Sequence, residues 1–229
     1  MSALAVNVSD NLVVNTSNNL VNLDVSNETN FLNTFYEKKE FDQPIGDWNV
    51  SSGVNFEDTF NNATMFNQPI GDWNVSNGVY FDGMFAGTDM FNQYIGDWDV
   101  SNSVDFSTTF AYTKMFNQPI GDWNVSNCEN FMQMFSHAEK FNQSLKKWFI
   151  RKDANLKSMF EGAKAWPYQV SDCGDVNRTM YKCEFQNRTV YFAGCFYGSL
   201  RKLRREIKGK YKGRAKKDYL KKVKELSNM

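Results

Sequence analysis

The chain has 229 residues, with 26 basic and 26 acidic side chains and therefore a formal net charge of zero. Hydrophobic residues make up 41% and aromatic residues 16% of the sequence, which is enough to bury a core and excludes an intrinsically disordered chain. No run approaches the ~20 apolar residues of a membrane-spanning helix, and the first residues lack the basic and apolar regions of a secretory signal. A single histidine, His137, excludes most acid–base, catalytic-triad and histidine-rich metal mechanisms.

The neutral total hides opposite charges in different parts of the chain. Residues 1–145 hold 4 basic and 18 acidic residues, a balance of −14. Residues 146–200 hold 9 and 5, a balance of +4, and residues 201–229 hold 13 and 3, a balance of +10. The sequence thus predicts an acidic body and a basic tail rather than an evenly charged surface.

The first predicted element is an N-terminal cap over residues 1–30. Short apolar runs, such as those that begin at Val6, Leu12 and Leu20, indicate degenerate versions of the units that follow. A stack of repeats needs such a cap because an open end offers unpaired backbone groups to other chains.

A 25-residue repeat occupies residues 31–165 without insertions. Its signature is FDQPIGDWNV at residue 41, FNQPIGDWNV at 66 and 116, FNQYIGDWDV at 91, and a decayed FNQSLKKWFI at 141. Phenylalanine fills three repeat positions, which accounts for fifteen of the twenty phenylalanines in the chain. Five tryptophans share a fourth position and are predicted to form the repeat core: Trp48, Trp73, Trp98, Trp123 and Trp148.

The period predicts a repeat solenoid, because a 25-residue unit is too small to close a core and must stack on its neighbours. Within one unit, Ile70, Trp73 and Val75 follow leucine-rich-repeat spacing, and the segment D-W-N-V-S is predicted to be a short parallel strand. The residues around 79–91 are predicted to form one helical or 3₁₀ turn. We therefore expect a right-handed, leucine-rich-repeat-like β-solenoid with a C-terminal β-hairpin cap and a basic α-helical tail.

The motif F-N-Q-P-I-G-D-W-N-V-S-N, followed by an M-F pair such as Met84-Phe85, resembles the BspA-like leucine-rich-repeat family over about residues 24–165. This family of surface repeats occurs in bacteria, protists and large DNA viruses. The resemblance implies a surface, adhesion or structural role without catalysis. Because no signal segment is visible, we expect a viral or intracellular-assembly role rather than a bacterial-surface role.

Residues 166–198 are predicted to form a C-terminal cap. Alternating apolar residues over 179–185 and 189–193 flank the short loop 186–188, which is typical of a β-hairpin.

Residues 199–229 are predicted to form a basic amphipathic helix with Ser199 as its N-cap and a bend or break at Gly209 and Gly213. The helix either folds back on the body as a solvated element or binds a partner, for which acidic protein, nucleic acid and anionic membrane are considered in that order. Nucleic acid is weakly supported, since tyrosines are the only aromatic residues in the tail. The predicted partner-binding residues are Arg201, Lys202, Arg204, Arg205, Lys208, Lys210, Lys212, Arg214, Lys216, Lys217, Lys221 and Lys222.

Three other residue sets have a structural and a functional interpretation. The column Asp47, Asp72, Asp97 and Asp122 is expected to serve turns, with a calcium site as the alternative. Cys128, Cys173, Cys183 and Cys195 are expected to be buried thiols, with one disulfide second and zinc last. Ten N-x-S/T sequons are assigned to structure rather than glycosylation, and Asn67, Asn92, Asn117 and Asn142 are expected to form an interior ladder.

The sequence therefore predicts a non-enzymatic structural protein with no cofactor, no metal and no catalytic residues. Its expected place is a virion or an intracellular assembly, for instance as a minor capsid component, with other proteins of that assembly as partners. The alternative is a cell-surface adhesion or ligand-binding repeat protein.

Overall fold

A computed structural model describes residues 6–8, 11–17, 19–167, 169–173, 178–193 and 196–229. Within these residues, six strands and two helices lie towards the ends of the chain: β1 Val6–Val8, β2 Asn11–Val13, β3 Gln169–Cys173, β4 Arg178–Glu184, β5 Thr189–Ala193, β6 Phe196–Gly198, α1 Leu200–Lys210 and α2 Gly213–Asn228. Between β2 and β3 the described residues form turns and extended segments, and no helix or strand is found among them.

The repeats form a stack of units that are joined by backbone hydrogen bonds. Isolated parallel bridges link equivalent residues of successive units: Asn30, Asn55, Tyr80, Asp105, Asn130 and Asn155. The N–H groups of Phe31, Asn33 and Phe35 donate to carbonyls 24 residues later, at 2.7–3.1 Å, and the same pattern recurs in each unit as far as His137, whose N–H reaches the Glu161 carbonyl at 2.7 Å. The 25-residue period therefore has its origin in this backbone register.

The predicted helical turn is absent, and successive tight turns replace it. In the first unit the N–H groups of Thr34, Tyr36 and Lys38 bond locally to carbonyls three residues earlier, while the intervening N–H groups cross to the next unit. In an α-helix, each of these N–H groups would donate to a carbonyl four residues earlier in the same segment, and none would be left to bond to the next unit. The turns place two residues of each unit at positive φ, in one column of Asn33, Asp58, Gly83, Thr108, Gln133 and Ser158 and a second column of Glu37, Asn62, Gly87, Tyr112, His137 and Gly162.

The segment D-W-N-V-S is not the predicted strand. Trp73 and Val75 are both buried, as their spacing predicts, but the Trp73 backbone N–H closes a local turn onto the Ile70 carbonyl at 3.1 Å. The indole makes the contact between units instead, because Trp73 Nε1 donates to the Ile45 carbonyl at 3.1 Å. The other four tryptophans of this column make the same bond to the residue 28 positions earlier.

Aromatic columns fill the core of the stack. The Trp48 and Trp73 rings lie parallel with centroids 6.5 Å apart, and the Phe35 and Phe60 rings stack at 5.3 Å. Trp166 continues the third phenylalanine column, since its ring stacks on Phe141 at 6.1 Å. Fully buried rings of this size contribute a large part of the hydrophobic stabilisation.

The N-terminal residues differ in part from the predicted degenerate coils. β1 and β2 form an antiparallel pair, in which Val6 lies opposite Val13. Leu20 and Val25 do join the buried core, and the Leu20 carbonyl accepts the bond from Trp48 Nε1 at 3.0 Å.

The C-terminal end of the stack is covered by an antiparallel sheet of strand order β3-β4-β5-β6, which contains the predicted hairpin as β4 and β5. Trp166 Nε1 donates to the Lys182 carbonyl at 2.8 Å, and the Phe192 ring meets Phe160 edge to face at 5.4 Å. Asn187 exchanges two hydrogen bonds with the Ile150 backbone. These bonds occupy the end of the stack with residues of the same chain.

The two helices cover the other face of the sheet. Alternate residues of β4 point to opposite sides: Tyr181 and Cys183 belong to the core of the stack, whereas Met180 belongs to a second core with the helices. Ser199 caps α1 as predicted, with its hydroxyl accepting the Lys202 N–H at 3.3 Å. Gly209 remains helical, and the break falls after Lys210 with Gly213 starting α2 at a φ of 56°.

Stacking of identical positions also brings carboxylates together. Burial, followed by the neighbouring charges of Glu57, Asp105 and Asp58, raises the pKa of Asp82 to about 7. The pKa of Glu57 is raised by burial first and then by Asp58 and Asp105. At neutral pH this face of the stack therefore carries charges that oppose folding.

We expect Trp98→Phe to lower the free energy of unfolding by about 1–3 kcal/mol, because it removes the bond to the Ile70 carbonyl and leaves a cavity in the core. Denaturant melts followed by far-ultraviolet circular dichroism measure the change. Tyr94→Phe, at a largely exposed ring, is the control and should cost much less. Equal stability of W98F and the parent would contradict a role of the indole bond.

We expect Asp82→Asn to stabilise the protein at pH 8 by about 1–2 kcal/mol and to have little effect near pH 4. The folded state keeps a proton on Asp82 that the unfolded state releases above its ordinary pKa of 3.8, so stability is lost as pH rises towards about 7. Melting temperatures of the parent and D82N across this range test the sign, with the exposed Asp47→Asn as control. A parent more stable at pH 8 than at pH 5, unchanged by D82N, would contradict it.

Candidate functional site

The predicted partner-binding residues lie on a surface formed by α1 and α2, which we call the basic helical surface. The apolar positions of both helices face the sheet, where Leu203, Ile207 and Val223 are buried with Met180 and Tyr191. The amphipathic spacing therefore turns the basic positions outward. Helices α1 and α2 also contact each other, so the two sets of basic residues lie on one module.

Most of the twelve predicted residues are exposed. Lys216 and Lys222 are half-buried, and the exposed members are Arg201, Lys202, Arg204, Arg205, Lys208, Lys210, Lys212, Arg214, Lys217 and Lys221. Lys222 lies 3.5 Å from Glu225, a partly exposed i,i+3 pair of the kind that contributes little to stability. The structure thus holds a concentrated positive charge in fixed positions, which is suited to binding an acidic surface.

Aromatic rings of this module are occupied within the protein. Tyr219 is buried, and the half-buried Tyr211 packs against it with ring centroids 4.3 Å apart. The Lys202 ammonium lies 6.0 Å from the centre of the Phe196 ring, and that of Lys210 lies 5.8 Å from the centre of Tyr211. These contacts leave little aromatic area for stacking of nucleic-acid bases.

The predicted aspartate column lies on the outside of the stack. Asp47, Asp72, Asp97 and Asp122 are all exposed. Asp97 accepts a hydrogen bond from the Tyr94 hydroxyl at 2.8 Å, and Asp122 pairs with Lys147, which ends the column. Among the described residues, no group of three or more histidine, cysteine or acidic side chains could hold a metal ion.

Two cysteines have side chains that the structure describes, and both are enclosed by the core. Cys128 and Cys183 are buried free thiols. Burial raises the pKa of Cys128 to about 12 and raises the pKa of Cys183 well above its usual range. Cys195 and the side chain of Cys173 lie outside the described residues, so the disulfide and zinc alternatives stay predictions.

The asparagine ladder is present, but at the half-buried edge of the stack rather than in its interior. Asn67 Oδ1 accepts the Asn92 N–H at 3.0 Å, and the same bond joins Asn92 to Asn117 and Asn117 to Asn142. Each side chain thereby ties a backbone turn to the preceding unit. The exposed sequon residue Asn74 accepts the N–H of Ser76 at 3.1 Å, so it also serves a local turn.

A groove in the stack was not predicted from the repeat. It runs between the second positive-φ column and a column of alternating charge, and its lining includes Gly87, Asp89, Tyr112, Lys114 and His137. Lys114 pairs with Asp89 at 2.6 Å, and Lys164 pairs with Glu139 at 3.0 Å. His137 is exposed, and its ring stacks on Tyr112 with centroids 4.7 Å apart and an interplanar angle of 9°.

Neither described helix is long and apolar enough to span a membrane. No curated protein and no solved structure matches the chain.

A family model described as "Mycoplasma protein of unknown function, DUF285" matches the chain twice, over residues 5–102 and 79–173. The two matches together span more than half of the chain, and their overlap along one sequence is consistent with a repeat family. They include the stacked units but end before β4 and the basic helical surface. The chain therefore belongs to the DUF285 family of repeat proteins.

Proposed function

We propose that this chain is a non-enzymatic structural protein that occupies a fixed place in a larger particle, such as a minor component of a viral capsid. Its stack would be a right-handed solenoid of the BspA-like leucine-rich-repeat kind, used as a spacer with a basic module at one end. The segregation of charge carries the proposal. Residues 1–145 have a balance of −14, whereas residues 201–229 have +10 and display that charge on a packed surface.

The partner of the basic helical surface would be an acidic protein surface of the same particle. The exposed basic side chains favour an acidic partner through long-range attraction, which also makes association dependent on salt. Nucleic acid is the weaker candidate, because the buried Tyr219 and half-buried Tyr211 provide no open stacking platform. The proposed location is a virion or an intracellular assembly.

A cell-surface adhesion role is the second candidate, and the exposure of sequon residues favours it. Asn49, Asn74 and Asn124 are exposed on the stack, where a glycan could be attached without unfolding. Intact-mass measurement of the protein from its natural source separates the two roles, since glycan mass would support passage to the cell surface.

The test of the assembly role uses charge reversal rather than removal of the tail. Deletion of residues 199–229 would uncover Met180 and Tyr191 and so damage the fold. We expect the full chain to co-sediment with particles on a density gradient at low salt. The triple variant Arg204→Glu/Lys208→Glu/Lys217→Glu should be absent from the particle fraction. All three residues are exposed, so the variant should fold normally.

The matched control, Arg204→Lys/Lys208→Arg/Lys217→Arg, keeps the charge and should co-sediment like the parent. Retention of the charge-reversed variant in the particle fraction would contradict the proposal. So would a parent chain that sediments as a free monomer at every salt concentration. Preferential binding of the parent to duplex DNA over particles would favour the nucleic-acid alternative.

A further inference from the structure

The groove beside Tyr112 combines an open aromatic face with paired charges. Each unit contributes one residue to the second positive-φ column, in which glycines interrupt larger side chains: Glu37, Asn62, Gly87, Tyr112, His137 and Gly162. Tyr112 is 57% exposed, which is the largest exposure among the exposed large hydrophobic residues of the described chain. One face of its ring is covered by His137.

The other face of the Tyr112 ring points towards the preceding unit, where the column holds Gly87. The backbone fixes this spacing, because the Gly87 N–H donates to the Ala111 carbonyl and the Tyr112 N–H donates to the Ser136 carbonyl, both at 2.8 Å. A Cβ atom at Gly87 would approach Asn62 Oδ1 to 2.4 Å, so the Asn62 carboxamide closes the far side of the slot. The space beside Gly87 is therefore bounded by the Tyr112 ring on one side and by the Asn62 carboxamide on the other.

His137 fixes the orientation of the Tyr112 ring by stacking against one of its faces. A Cβ atom at Gly162 would approach His137 Nδ1 to 2.4 Å, which shows that the imidazole lies directly against the Gly162 backbone. The imidazole is thus held between Gly162 and the tyrosine ring. A ring fixed in this way binds a planar or flat-faced ligand without a large loss of side-chain entropy.

The charges along the groove cancel one another. Asp89 and Lys114 form one pair and Glu139 and Lys164 form the next, so donors and acceptors alternate along the wall. A guanidinium or a phosphate would meet an equal number of like charges here. A neutral ligand that has both donors and acceptors, together with one apolar face, matches the wall better.

We propose that this groove is a binding site for a neutral saccharide, with a pyranose ring stacked on Tyr112 above Gly87 and its hydroxyl groups bonded to the Asp89–Lys114 pair and Asn62. The site is independent of the basic helical surface and goes beyond the assembly role. A single sugar on one aromatic face should bind weakly, with a Kd of roughly 1–10 mM.

The repeat itself supplies the decisive variant. Tyr112→Gly places in the fourth unit the residue that the column already holds at Gly87 and Gly162, and glycine is favoured at the positive φ of 60°. Y112G should therefore keep the parent melting temperature to within a few degrees. The control, Tyr94→Pro, removes another exposed tyrosine and gives the residue that its own column holds at Pro44, Pro69 and Pro119.

The experiment is an NMR titration of the full chain, labelled on tyrosine and histidine rings, with methyl glycosides of glucose, galactose, mannose and N-acetylglucosamine. We expect at least one glycoside to shift the Tyr112 and His137 ring signals, and the same glycoside to lose roughly tenfold or more in affinity for Y112G. Y94P should bind like the parent.

His137→Gly gives a second measurement, because Gly162 shows that glycine fits this column. It should weaken binding less than Y112G does, since the aromatic wall remains but loses its support. The proposal is overturned if none of the four glycosides shifts the ring signals, if Y112G binds as tightly as the parent, or if an arginine-rich peptide displaces the glycoside at lower concentration.

Discussion

The hydrogen bond from one backbone N–H to a carbonyl 24 residues later is the interaction on which the stack depends. It requires every unit to have the same length, because one extra residue would shift all later donors away from their acceptors. It also explains why the units contain no helix, since alternate donors in residues 31–38 are used across units. The local turns that satisfy the remaining donors need positive φ, and this need places Asn, Asp and Gly at many positions of the two columns.

Exact repetition has an electrostatic cost that the sequence relieves in some columns and not in others. Where Asp89, Lys114, Glu139 and Lys164 follow one another, each unit neutralises its neighbour. Where Glu57 and Asp82 follow one another, burial and like charge raise the pKa of both carboxyl groups. The decayed last units supply Lys147, which ends the aspartate column, and Lys164, which ends the column of alternating charge, at the side where the sheet begins.

The period alone was sufficient to identify the core. Trp73, Phe60 and their equivalents are buried because identical positions of successive units lie above one another. This result does not depend on the backbone conformation between those positions. The strand assigned to D-W-N-V-S was wrong because alternation of Trp73 and Val75 reports only burial, whereas strand structure depends on where each N–H donates. The hairpin, the two helices and the Ser199 cap were predictable, since each rests on local spacing and local hydrogen bonds.

The groove was not predicted, because it depends on residues that differ between units rather than on residues that the units share. It arises where the repeat is broken, because Gly87 and Tyr112 occupy equivalent positions and differ greatly in size. In a repeat protein the shared residues describe the scaffold, and the differences within one column are the better signal of a site. Asn62 and His137 belong to the same column and also differ from Gly87. They would have indicated the groove as well if the column had been identified from the backbone.

The basic module shows why a charged tail can be an ordered part of a fold. Neither α1 nor α2 has an acidic residue in its first turn, so each helix begins with basic side chains near the positive end of its own dipole. Helix propensity cannot offset this repulsion, and the buried contacts of Leu203, Ile207 and Val223 with the sheet must do so. A bound acidic surface would lower the repulsion and strengthen both helices. Under the proposed function, binding of an acidic partner and folding of this module would be coupled, because the positive charge that weakens the free helices would also attract that partner.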